Sequence, residues 1–285
     1  LKGNEKILLS YEYMLISFTT GKGMHMLKKL LLPALLAAAA YKILNHKKKN
    51  NMPLLGEKAP SFHAKSTKGF IHFPRDYKGS WTVFFSHPAD FTPVCTTEFM
   101  TFEAMKDEFL QINTKLLGLS VDSLSSHLAW LKDIKDNIDY NGMNEVDVDF
   151  PVIDDLNGHI ARKYGMIQPK ADDTKTVRAV FIIDPQSIIR AILYYPQSTG
   201  RNLDEIKRII VALQTTDEFN VVTPCNWEAG DEVIIPPPAN KEEAIERLES
   251  MDSVKCYDWF LCFKKLPKQD IAEKLLCEEC DICNN

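Results

Sequence analysis

Long apolar runs are scarce in this chain. Leu30 to Leu44 is interrupted by Pro33 and Lys42 and falls short of the ~20 apolar residues that a spanning helix needs. A basic stripe is missing too. The 34 Lys and Arg against 39 Asp and Glu leave a net charge of −5, so no charge pattern points to nucleic acid as a partner. Nor is there a disulfide scaffold, since seven cysteines in 285 residues are too few for one. What remains is ordinary for a globular chain, 26% charged and 45% hydrophobic, long enough for one sizeable domain plus an appendage.

The first fifty residues differ from the rest. Position 1 is Leu, and Met24 or Met26 is the expected start. From Met26 the chain reads Lys28-Lys29, the apolar stretch, then His46-Lys47-Lys48-Lys49. This pattern fits a signal h-region, a short anchor or a basic, acid-free transit peptide. Residues 1–51 are therefore expected to be a targeting or anchoring segment outside the fold. The cytoplasm is the expected compartment of the core. Mitochondrial targeting or membrane anchorage through residues 26–49 is the alternative.

From Met52 onward, strand-like and helix-like segments alternate. Trp81 to Phe85, Lys115 to Val121, Ala179 to Ile183 and Ile188 to Tyr195 are nearly continuous apolar runs, as strands covered on both faces require. Between them, Ser125 to Asn137 carries Leu128, Leu131 and Ile134 at helical spacing. Asn202 to Leu213 carries Leu203, Ile206, Ile209, Ile210 and Leu213, with Asn202 and Glu205 as its N-cap pair. The pattern predicts an α/β layered domain over residues 52–220. Residues 221–285 read as a C-terminal arm: Pro236-Pro237-Pro238 is an extended connection, and Glu242 to Ser250 and Lys268 to Glu279 are short helices. This region is too small and polar to hold a core of its own, so it is expected to pack on a neighbouring subunit.

The most informative run is Ser86-His87-Pro88-Ala89-Asp90-Phe91-Thr92-Pro93-Val94-Cys95-Thr96-Thr97-Glu98. An apolar strand leads into a proline-punctuated turn, and a helix is expected from Thr96 to Leu110. Cys95 then sits near a helix N-terminus, where free N–H groups and the dipole favour an anion and a thiol ionises readily. Thr92 supplies a hydroxyl that donates and accepts, while Pro88 and Pro93 stiffen the loop. A lone cysteine is more often a small buried hydrophobe; it is the surrounding residues that make this one a candidate nucleophile.

The spacing Pro88-x-x-x-Thr92-x-x-Cys95, flanked by Phe-Ser-His-Pro-Ala-Asp-Phe and Thr-Thr-Glu-Phe, resembles the peroxidatic signature of the peroxiredoxins. It is most similar to the branch of one-cysteine enzymes and their archaeal two-cysteine relatives, and the resemblance extends from about Met52 to Leu266. It implies a thioredoxin-like fold with a mixed central sheet and a thiol-specific peroxidase acting on hydrogen peroxide and alkyl hydroperoxides, with no cofactor or metal. Cys95 would become a sulfenic acid. Pro88, Thr92 and Arg178 would bind the peroxide, with Arg178 also favouring the thiolate. His87 and Glu98 would be supporting residues: His87 tunes the site or caps the turn, and Glu98 anchors Arg178 or another arginine. Trp130 is expected to be packing.

Cys256-Tyr257-Asp258-Trp259-Phe260-Leu261-Cys262 resembles the arm of the archaeal relatives. The resemblance implies that Cys262 of a partner subunit resolves Cys95, with Cys256 as its accessory. Were this stretch helical, the two sulfurs would lie ~120° apart, and their pairing would need local unwinding. A thioredoxin-like or other thiol reductant would close the cycle, in a homodimer assembling into a ring such as a decamer. An oligomeric holdase chaperone or peroxide sensor using the same cysteine is the alternative.

Cys277-x-x-Cys280-x-x-Cys283 has no counterpart in that family. It reads either as a loose tail with reactive thiols or as a disulfide relay, one ligand short of a four-cysteine metal site. Cys225 is expected to be structural. Some one-cysteine relatives carry a lipase-like set. Here only Ser80 matches it, with His72 and Asp184 each two residues off the expected places, so phospholipase activity is not expected.

Overall fold

The structure, a computed structural model, describes residues 52–172, 174–249 and 255–275. The expected segment 1–51 and the Cys277 to Cys283 motif lie outside the described residues. The strands are β1 (Phe62–Ser66), β2 (Gly69–Phe73), β3 (Trp81–Ser86), β4 (Thr114–Ser120), β5 (Val152–Asp154), β6 (Arg178–Ile183) and β7 (Ile189–Tyr195). They form one sheet in the order β2-β1-β5-β4-β3-β6-β7. β3 pairs parallel with β4, and β4 with β5; β6 runs antiparallel to β3 and β7, and β1 antiparallel to β2 and β5. The sheet is mixed, as expected.

All six residues of β3 and all six of β6 are buried, so both strands are covered on both faces. Their side chains divide by the two-residue strand period. Val83, Phe85, Val180 and Ile182 enter one core with Phe99, Trp130 and Ile206. Phe84, Phe181 and Ile183 enter the other with Phe73, Tyr164 and Ile160. The first core takes its helical walls from α1 (Pro93–Ala104), α3 (Leu124–Asn137) and α5 (Leu203–Phe219); α2 (Lys106–Gln111) and α4 (His159–Lys163) complete the domain.

Helix boundaries follow local chemistry. The expected helix over Thr96 to Leu110 is two helices broken at Met105, and it starts earlier because Pro93 occupies the first turn behind an N-cap at Thr92. The Asn202 side chain accepts the Glu205 N–H at 3.0 Å, as the cap pair predicts. α5 outruns its expected end at Leu213 because Gln214 to Phe219 contains no breaker. It stops where Asn220 turns left-handed at φ 47°.

The C-terminal region departs most from expectation. Trp227, 1% exposed, packs with Val221, Val233, Leu266 and Ile271 against Ala212 of α5. The arm thus shares a core with the domain of its own chain. It continues through β8 (Val233–Ile234), α6 (Lys241–Glu249), β9 (Lys255–Asp258), β10 (Leu261–Lys264) and α7 (Lys268–Leu275). The stretch weighed as a helix is an antiparallel hairpin, in a small sheet of order β8-β10-β9. No helix among the described residues is long and apolar enough to cross a membrane.

Candidate active site

The end of β3 and the first turn of α1 bracket the site. The first intrahelical bond runs from the Thr96 N–H to the Thr92 carbonyl at 3.0 Å, so Cys95 lies within the turn whose N–H groups precede the helical ladder. The Cys95 side chain is fully buried. Thr92 has extended backbone angles, and its hydroxyl donates to the Ala89 carbonyl at 2.7 Å rather than capping the helix. Phe91, just before it, is held at φ 54°, a conformation that costs a non-glycine residue about 1–2 kcal/mol. Pro88 is buried at the base of the loop.

Arg178, the first residue of β6, points its Nη1 at the Cys95 Sγ, 3.3 Å away. The same Nη1 donates to Glu98 Oε2 at 2.7 Å, and Nε and Nη2 donate to the Gln197 carbonyl at 3.0 and 2.8 Å. Glu98 therefore anchors Arg178, one of the two roles open to it in the sequence. It also holds Arg201, which sequence reasoning missed. The Arg201 N–H and Nε donate to Oε1 at 2.8 and 2.9 Å, and Nη2 donates to Oε2 at 2.6 Å. Arg201 Nη1 reaches the Ser86 and Ala179 carbonyls, and its guanidinium lies over the Phe85 and Phe102 rings. Burial alone would raise the Glu98 pKa, but Arg201 and then Arg178 hold it below the ordinary carboxylate value. Two guanidinium groups share one carboxylate, and the Arg178 guanidinium is the one that faces the sulfur.

Beneath the loop lies a second buried network. His87 Nε2 is 2.9 Å from Asp90 Oδ1, and His127 Nδ1 lies 3.0 and 2.9 Å from the two Asp90 oxygens. Burial would push Asp90 up, yet the hydrogen bonds to His127 and His87 hold it far below the usual carboxylate range. Burial pushes His87 down, toward the neutral ring, so His87 is built into this network rather than capping the turn. Its ring packs on Phe99 and Trp130, and the Trp130 Nε1 donates to Thr96 Oγ1 at 3.2 Å. One ligand atom from each of His87, Asp90 and His127 falls within 4.8 Å of the others. These three could surround a cation, but their facing atoms are already committed to one another.

Cys256 and Cys262 face each other across β9 and β10 and are disulfide-bonded, with Cα atoms 4.0 Å apart. No unwinding is needed, because the hairpin register places the sulfurs side by side. Cys225 is exposed and free, which corrects its expected structural role. Among the last described residues, Lys274 of α7 lies 3.8 Å from Glu218 and Leu275 packs near Phe219. That is the far end of α5, a 17-residue helix that spans ~25 Å from its start beside Arg201. The lipase-like set does not assemble: Asp184 receives the Gln186 and Ile188 N–H groups and Arg190, and no hydrogen bond joins it to Ser80 or His72 among the described residues.

Asp90, His127 and Arg201 are the residues missed from sequence. Asp90 stood inside the quoted run, but its partner lies 37 positions away, and Arg201 is 103 positions from Glu98.

Comparison with known proteins agrees with this geometry. Residues 55–192 match the AhpC/TSA family, and residues 212–251 match the C-terminal domain of 1-Cys peroxiredoxin. A peroxiredoxin of Methanosarcina mazei is 60% identical over 215 residues, covering 75% of this chain and 98% of that protein. One from Thermotoga maritima is 51% identical over 219 residues, covering 75% and 98%. Among solved structures, a yeast mitochondrial 1-Cys peroxiredoxin matches with a TM-score of 0.66 and 42% identity, covering 75% of this chain and all of that one. Peroxiredoxin 6 of Arenicola marina matches with a TM-score of 0.67 and 35% identity, covering 76% and 99%. With a buried cysteine at a helix N-terminus facing an arginine, and relatives matched over nearly their whole length, this chain belongs to the peroxiredoxin family of thiol-dependent peroxidases.

Proposed function

We propose that Cys95 reduces hydrogen peroxide and small organic hydroperoxides in a two-cysteine cycle completed by the arm. The Cys95 thiolate attacks one peroxide oxygen, the O–O bond breaks, and the departing alkoxide or hydroxide takes a proton to leave as alcohol or water. Arg178 and the Thr92 hydroxyl hold the peroxide against Pro88, and the fixed guanidinium meets the charge that builds on the leaving oxygen. The observation that carries this reading is the 3.3 Å contact between Arg178 Nη1 and the buried Cys95 sulfur.

Cys262 of a partner subunit then attacks the sulfenic acid, releasing water and forming an intersubunit disulfide. Cys256 exchanges with Cys262, which frees Cys95 as a thiol and leaves the Cys256–Cys262 disulfide for an external dithiol, such as a thioredoxin-like protein, to reduce. The cross-strand pairing of Cys256 with Cys262 supports this exchange. Tyr257, Trp259 and Phe260 are 69%, 41% and 51% exposed in the single chain. Such a surface suits docking of the arm on a second copy, in a dimer that assembles further into a ring such as a decamer. Non-reducing mass spectrometry after one equivalent of peroxide tests the cycle. A Cys95–Cys262 crosslink, accumulating in a Cys256→Ser variant, is expected. A Cys95 sulfenic acid that persists until external thiol is added contradicts resolution by the arm.

A further inference from the structure

We infer that His63 and His72 form a surface site for a borderline divalent transition metal, with Asp76 as its second-sphere carboxylate. The two histidines are nine positions apart in sequence, with no metal-ligand spacing to announce them. The antiparallel register of β1 and β2 sets them directly opposite each other. Their rings stack with centroids 4.2 Å apart and planes only 9° from parallel. His63 is exposed, and the His72 side chain is 43% exposed.

Imidazole nitrogens suit copper, nickel and zinc. Because the torsion that turns a histidine ring is soft, swinging the His63 ring out of the stack aims its lone pair at an ion held by His72. Asp76 supplies what usually accompanies such a ligand, a carboxylate at the other ring nitrogen that fixes orientation and raises basicity. Its Oδ2 accepts the His72 backbone N–H at 2.7 Å and lies 3.5 Å from the His72 Nδ1, while Oδ1 receives the Arg75 Nε at 3.0 Å. His72 is thereby set to coordinate through Nε2, and His63 completes a two-nitrogen chelate whose other positions are open to water. Four strand spacings separate β2 from β3 in the sheet, or ~19 Å, so the bound ion would stand apart from the peroxide chemistry.

The test is titration of the full chain with Cu2+ alone, after reduction and alkylation of all thiols, followed by electron paramagnetic resonance. One equivalent with superhyperfine coupling to two imidazole nitrogens is expected. His63→Ala and His72→Ala should each abolish that signal, and Asp76→Asn should weaken binding about tenfold. Peroxide turnover of the three variants, measured without alkylation or copper, should match that of the unaltered chain. No two-nitrogen signal, or one that persists in both histidine variants, overturns the assignment.

Discussion

Glu98 Oε2 accepts from Arg178 Nη1 at 2.7 Å, and that same nitrogen lies 3.3 Å from the Cys95 sulfur. The carboxylate therefore sets where the guanidinium stands. Glu98→Gln keeps the shape but leaves two buried arginines without their counter-charge. Removing one partner of a buried ionic group costs about 3 kcal/mol or more. The expected outcome is that loss of stability in urea unfolding, together with a peroxide rate constant at least about tenfold lower by stopped-flow fluorescence.

Arg178→Ala removes the donor itself. Loss of one fixed donor to developing negative charge lowers a rate by about 10²–10³, and that is the fall expected in the second-order rate with hydrogen peroxide. Arg178→Lys should recover little of it, because one ammonium cannot contact Cys95, Glu98 and the Gln197 carbonyl together.

The His87–Asp90–His127 network should make the fold acid-sensitive in two steps. His87 is lowered by burial, so the unfolded chain binds its proton more readily, and stability falls as pH drops below the ordinary histidine value of about 6.5. Asp90 is lowered in the fold by its imidazole partners. Its contribution is complete above about pH 4 and is lost as pH falls further toward the folded value. Urea midpoints at pH 7, 5 and 3 should decline throughout. Asp90→Asn should flatten the lower step, and His87→Gln the upper.

Much of this arrangement was legible in the sequence, because it depends on near neighbours. The apolar runs of β3 and β6 betrayed strands covered on both faces, and the proline-punctuated turn after β3 placed Cys95 near a helix N-terminus, although the helix starts at Pro93 rather than Thr96. What escaped depends on distant partners. Nothing local to Arg201 announces that it will grip Glu98, and nothing near Asp90 names His127. The arm misled for the same reason. Its apolar residues are too few for a core by themselves, and only Ala212 and the neighbouring face of α5 make Trp227 a buried residue. The Cys256 and Cys262 pairing follows from a hairpin register that helical spacing could not supply.

Trp227 is accordingly the bolt between arm and domain. Trp227→Ala opens a cavity among Val221, Val233, Leu266 and Ile271, at a cost of about 3–5 kcal/mol. Hydrogen exchange should rise across β8 to β10 while β3 and β6 stay protected. Cys95 oxidation by peroxide should stay within a few-fold of its original rate, whereas turnover with a thioredoxin-like protein as reductant, which depends on the arm disulfide, should drop.

The most direct test of Cys95 as the peroxide-reducing sulfur is peroxide consumption by Cys95→Ser, alongside Cys256→Ser and Cys262→Ser, in the presence of dithiothreitol. The expected result is complete loss in Cys95→Ser only, with both arm variants still consuming peroxide because the small thiol reduces the sulfenic acid directly. Consumption that persists in Cys95→Ser would contradict the assignment of this sulfur as the nucleophile.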